Sequence, residues 1–204
     1  MVAVRVALLA GLFAVSTWQV VSEGPLRRFG ERAGDAVRTG GFPGGLAELS
    51  ADLGNVVVAV PVLVGAACYV YGRSRRWRAP VAALLVLALV PAVVAPLKAL
   101  IDRPGPPGTD GSGGFYPSGH AATALVAFGA AVLLLLPYAR RHGRLLVGAG
   151  VLLVAANGFG LVRRGYHWPL DVVASWCLGG LLLIVLSLLV RRSLLVLPHG
   201  RPPT

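Results

Sequence analysis

"PVAALLVLALVPAVVAPLKALI", Pro80 to Ile101, settles the architecture. Its 22 residues carry one charge, Lys98, a turn from the end. A helix needs about 20 apolar residues to cross a bilayer core. Alternation, the mark of a membrane barrel strand, is absent here and in "VLLLLP", Val132 to Pro137. In lipid every backbone amide must be bonded internally, so such runs are helices. Five more stretches read the same way: Val2–Val21, Ala51–Tyr71, Gly119–Leu136, Leu145–Val162 and Pro169–Val190. The expected fold is all-α, an integral membrane bundle of six transmembrane helices. Residues 1–192 form one domain, followed by a flexible tail over 193–204.

Composition agrees. Apolar residues make up 56% of the 204, and charged residues 13%. A soluble domain carries about 25% charged residues. The first span resembles a signal peptide, but its apolar run is long and Thr17, Trp18 and Gln19 make a poor cleavage site. It reads as a retained helix.

The net charge of +11 is a topology signal rather than a nucleic-acid footprint, because the basic residues sit beside span ends. With a cytoplasmic N-terminus, Arg5, "RSRRWR" (Arg73–Arg78), "ARRHGR" (Ala139–Arg144) and the tail place eleven basic residues inside. Eight lie outside, and four of those are candidate site residues. The remainder obeys the positive-inside rule, with both termini cytoplasmic. Cys68 and Cys177 lie at different depths, so no disulfide is expected. Between the first two spans, Leu26, Phe29, Ala33 and Val37 fall at helical spacing, as in a short interfacial helix or a polar loop. The "TGGFPGG" that follows (Thr39–Gly45) reads as irregular.

Three polar clusters share the outer face. Lys98 and Arg103 flank the end of the third span. "YPSGH", Tyr116 to His120, opens the fourth, with Ser118 as a favoured N-cap. A helix N-terminus offers amide hydrogens and a positive dipole end to an anion. His120, in that first turn, is placed to move a proton. "HWPLD", His167 to Asp171, opens the sixth span, with Pro169 at its first position. Asp171 is then one turn from His167 and able to orient its ring for nucleophilic attack. Alone, "YPSGH" also reads as a capped helix with an interfacial histidine, "HWPLD" as an interfacial histidine with a first-turn helix charge, Lys98 as a snorkelling side chain and Arg103 as an interfacial anchor. Together they describe a cradle for a tetrahedral dianion, which phosphoryl transfer uses for positioning and charge neutralisation. No metal-ligand spacing is present and no cofactor is expected.

In order, these motifs resemble the type 2 phosphatidic acid phosphatase family, which shares its site with vanadium haloperoxidases. Its pattern is K-x6-R-P, then P-S-G-H, then S-R-x5-H-x3-D, covered here from Lys98 to Asp171. The resemblance implies a metal-independent hydrolase working through a phosphohistidine. His167 is the nucleophile, Asp171 its orienter and His120 the general acid, while Lys98, Ser118 and Gly119 bind phosphate. Three positions depart from the pattern: Gly105, Gly160 and Leu161 stand where the family has Arg, Ser and Arg. Arg103 and Arg164 are the expected replacements for the missing cations. The implied substrate is a membrane lipid phosphate: phosphatidic acid, phosphatidylglycerol phosphate or a polyprenyl phosphate or diphosphate. It is met on the extracytoplasmic face of a multi-pass cell-membrane protein. A weak or inactive member that binds anionic headgroups and a lipid transporter are the alternatives.

Overall fold

The computed structural model describes residues 1–109 and 112–195, with side chains to Val190. Among the described residues eight α-helices follow one another: α1 (Val2–Val21), α2 (Pro25–Thr39), α3 (Gly44–Asp52), α4 (Val56–Ser74), α5 (Arg78–Ile101), α6 (Gly119–Leu135), α7 (Gly143–Arg163) and α8 (Pro169–Leu195). No strand occurs among the described residues. Six helices are long and apolar enough to cross a membrane: α1, α4, α5, α6 with the turn after it, α7 with the turn before it, and α8. The last helix is described to Leu195, and residues 196–204 of the expected tail lie outside the described residues.

Helix α6 is the hub, packed against α4, α5, α7 and α8. Its inner faces are mostly alanine (Ala122, Ala124, Ala127, Ala130, Ala131). Lipid supplies no hydrophobic drive between helices, so close approach through small residues must do the work. Val86 and Val90 of α5 and Leu63 and Ala66 of α4 close the largest core cluster around it. α1 lies on α8. Thr17 Oγ1 and the Tyr116 hydroxyl are 2.9 Å apart where α1 reaches the loop before α6. Tyr116 is wholly buried there, and burial pushes its phenol up to about 12.

Two expectations change. The second span begins at Val56, not Ala51, because Asn55 caps α4 by accepting from Val57 N–H at 3.2 Å. The Gly-rich stretch is not wholly irregular, since Gly44 and Gly45 start α3. This short helix lies tightly on α7, where a Cβ at Gly160 would sit 2.6 Å from the Ala47 carbonyl oxygen. Asn157 of α7, fully buried, donates to the Ala51 carbonyl at 2.8 Å and fastens the same contact. Neither feature belongs to a hydropathy pattern.

Of the two readings of the segment after the first span, the helix is the one that forms, as α2, and it meets α8 through glycines rather than through its largest apolar side chain. Gly30 and Gly34 are buried, while Phe29 is 68% exposed. A Cβ at Gly34 would lie 3.0 Å from Pro169 Cδ. The two glycines let α2 settle on the start of α8, which carries Glu31 inward.

Candidate active site

The site is assembled at three helix ends. α5 stops at Asp102, which turns left-handed (φ 43°) and donates its N–H to the Lys98 carbonyl at 3.0 Å. The loop that follows is closed by Phe115 N–H donating to the Arg103 carbonyl at 3.0 Å. Within it Gly108 takes φ 97° after Pro107, a turn geometry that favours glycine. Asp110 and Gly111 of this loop lie outside the described residues.

Ser118 caps α6, its Oγ accepting from Ala121 N–H at 3.2 Å. Its side chain is fully buried, so the hydroxyl serves the helix end. The amides of Gly119 and His120, in the same first turn, have no carbonyl within the helix to bond. The Ser118 N–H donates to the Asp171 carbonyl at 3.2 Å. That bond joins the start of α6 to the start of α8. His120, exposed at the helix mouth, interacts electrostatically with His167, Lys98 and Asp52. Lys98, half-buried, feels the charge of Asp171. The clusters expected from sequence are therefore brought together, with Asp52 at the end of α3 as an additional carboxylate neighbour.

His167 is buried just before α8, its ring edge-on to Phe115 with centroids 5.8 Å apart. Its Nδ1 lies 3.5 Å from Asp171 Oδ2, an ion-pair distance but too long for a hydrogen bond. That oxygen instead accepts Trp168 N–H at 2.9 Å, the return half of a capping box. The Nδ1 atom is buried without a hydrogen-bond partner.

The two arginines expected to supply missing cations are engaged elsewhere. Arg103, 2% exposed, pairs through Nη1 with Asp171 Oδ1 and through Nη2 with Glu31 Oε1, the latter at 2.8 Å. Arg164 pairs with Glu48 and sits over the Tyr166 ring at the surface, its side chain 40% exposed. The charge of the buried Arg103 guanidinium is compensated by these two carboxylates. Arg163 likewise directs its Nη1 and Nη2 donors to the backbone, reaching the carbonyls of Arg38, Gly40 and Phe42.

At each departure from the motif the surroundings are crowded or apolar. Leu161 is 1% exposed in a cluster with Ala51, Ala121 and Val172, where a guanidinium would be stranded. Gly160 faces the α3 backbone with no room for a serine. At Gly105 a Cβ would lie 2.6 Å from Phe115 Cζ and Thr109 Oγ1. Sequence reasoning missed Glu31. It is one of several charges on an amphipathic segment, and nothing local distinguishes it.

Known proteins bear on this arrangement. The family profile described as the PAP2 superfamily matches residues 79–194. Over 64 residues the chain is 39% identical to an undecaprenyl-diphosphatase from Sulfolobus acidocaldarius, covering 31% of this chain and 28% of that protein. The match thus spans under a third of that relative's length. The fold superimposes with a TM-score of 0.82 on a crystal structure described as the first transmembrane PAP2-type phosphatidylglycerolphosphate phosphatase, from Bacillus subtilis. Identity there is 20%, over 96% of this chain and 99% of that one, so this likeness speaks for the fold.

Proposed function

Because the chain belongs to the PAP2 superfamily, we propose that it is a lipid phosphate phosphatase. The observation that carries the reading is the Ser118 N–H bond to the Asp171 carbonyl, which sets two histidines on facing helix starts. His167 attacks phosphorus through Nε2, forming a P–N bond as the P–O bond to the lipid breaks. His120 gives its proton to the leaving oxygen. Water then attacks the phosphohistidine, His120 takes its proton, and phosphate departs. Asp171 orients His167, while Lys98 and the Gly119 and His120 amides neutralise the phosphoryl oxygens. Metal plays no part in these steps.

The substrate is an amphiphile whose phosphate lies at interface depth, since the reacting groups cluster at span ends. Phosphatidylglycerol phosphate and polyprenyl diphosphates lead the candidates, being what the relatives' names describe. The charge asymmetry of the loops supports a site on the extracytoplasmic face of the cell membrane. Purified chain is expected to release phosphate from these lipids and to carry an acid-labile phosphoryl group in quenched turnover. His167→Ala should lose both, and normal turnover in that variant would sink the nucleophile.

A second reading rests on the cation deficit. A charge-assisted contact is worth about 1.5–3 kcal/mol. Two missing ones slow turnover by roughly two to four powers of ten, at about 1.4 kcal/mol per tenfold. A headgroup-binding member without useful turnover would bind phosphatidic acid vesicles yet release no phosphate.

A further inference from the structure

Arg103 is the centre of an alternating row of charges. Glu23 and Glu31 both pair with Arg27, at 3.2 and 2.8 Å. Glu31 Oε1 continues to Arg103 at 2.8 Å, and Arg103 continues to Asp171. The row runs from exposed Glu23, just before α2, to the carboxylate beside His167. The Arg103 guanidinium is further held over the Trp168 ring, 5.7 Å from its centroid, and Trp168 Nε1 donates to the Pro104 carbonyl at 3.2 Å. Asp171 Oδ1 is held by Arg103 and Oδ2 by the Trp168 backbone N–H, so both oxygens are held by groups other than His167.

We infer that Glu31 and Arg103 are positioning residues that set the orientation and net charge of Asp171, and through it the nucleophilicity of His167. Glu31 lies outside the stretch matched by the family profile. As the row stands, two cations alternate with three anions, leaving one negative charge. Asp171 carries the negative charge nearest the ring, and it opposes the positive imidazolium that forms when His167 is phosphorylated. Neutralising Glu31 removes one of the two carboxylates that share Arg103 and leaves Arg103 to draw Asp171 away from the ring. Glu31 is partly exposed, but the Arg103–Asp171 pair through which the change acts is buried and weakly screened. The inference rests on the phosphatase reading for its consequence in turnover, though not for its effect on His167 itself.

The full-length chain in detergent tests it with phosphatidic acid as substrate. Glu31→Gln is expected to lower kcat about tenfold with KM within about twofold, and Glu31→Asp to recover part of the loss. The Glu31→Gln effect should vanish in an Arg103→Gln background. If Arg103 were a phosphate ligand, freeing it by Glu31→Gln would lower KM and tighten inhibition by inorganic phosphate, and that result overturns the inference. Reactivity supplies a measure independent of turnover. Diethyl pyrocarbonate should modify His167 several-fold more slowly in Glu31→Gln, read by mass spectrometry, with His142 as the internal control. Unchanged kcat and unchanged His167 reactivity in folded Glu31→Gln would overturn it. A chain inactive on every lipid phosphate, but whose His167 reactivity still depends on Glu31, would sink the phosphatase reading and leave this one standing.

Discussion

The interior of the bundle and its outer cap are built by different means. Around α6 the contacts are alanine, valine and leucine, and any of them can shift by a fraction of an ångström without stranding a polar group. In the cap, α2, α3 and the loop after α5 are fixed by arginines. Arg103 holds two carboxylates, Arg163 holds three backbone carbonyls, and Arg38 reaches both Asp35 and the Pro107 carbonyl. The lesson is that a basic cap need not be an anion-binding cap. Most of these charges are consumed in holding the scaffold that presents two histidines.

The largest expected effect that would break this contrast is on Arg103. Arg103→Ala leaves Asp171 unpaired in a buried site, which costs about 3–5 kcal/mol. Thermal unfolding in detergent should show it as a marked loss of melting temperature. A neutral result would mean the cap does not depend on its ion pairs.

Next comes a pair of glycines. A Cβ at Gly160 meets the α3 backbone, whereas one at Gly129 meets the tip of the Leu183 side chain. Gly160→Ala should destabilise by about 2–3 kcal/mol and Gly129→Ala by under about 1 kcal/mol. Equal melting temperatures for the two variants would erase the distinction between cap and bundle.

Smaller still is Arg164→Ala. Its pair with Glu48 is solvent-exposed, so stability should change by under about 1 kcal/mol and turnover by less than about threefold. A hundredfold loss of kcat would return Arg164 to the phosphate site.

The mildest test is pH. Burial alone would raise the Glu31 carboxyl, but hydrogen bonds and charge from Arg27 and Arg103 outweigh it and hold it below 4.5. Its contribution is therefore full above that value and drains away as pH falls through the lowered one. The difference in melting temperature between wild type and Glu31→Gln should shrink on going from roughly pH 6 to roughly pH 3.

Much of this could be read from the chain. Five of the six spans lie where hydropathy put them to within a few residues, and the second was misjudged at its start. There Ala51 continues the apolar composition but belongs to α3, a boundary fixed by the Asn55 cap. The three motif clusters were legible because each stands at a helix end, where proline, serine and glycine mark position. The fate of the arginines was not legible. Arg103 and Arg164 have the same side chain at the same membrane face. One is buried on Asp171 and the other paired at the surface, and nothing near them in sequence separates the two.

Sequence by itself determined that the chain is a helical membrane bundle with two histidines and an aspartate gathered at one face. It could do so because apolar length and helix-end chemistry are local properties. Only the tertiary structure decided which charges serve that face. An ion pair between Glu31 and Arg103 joins residues far apart in the chain, and its strength depends on burial that arises when α2 settles on α8 through two glycines.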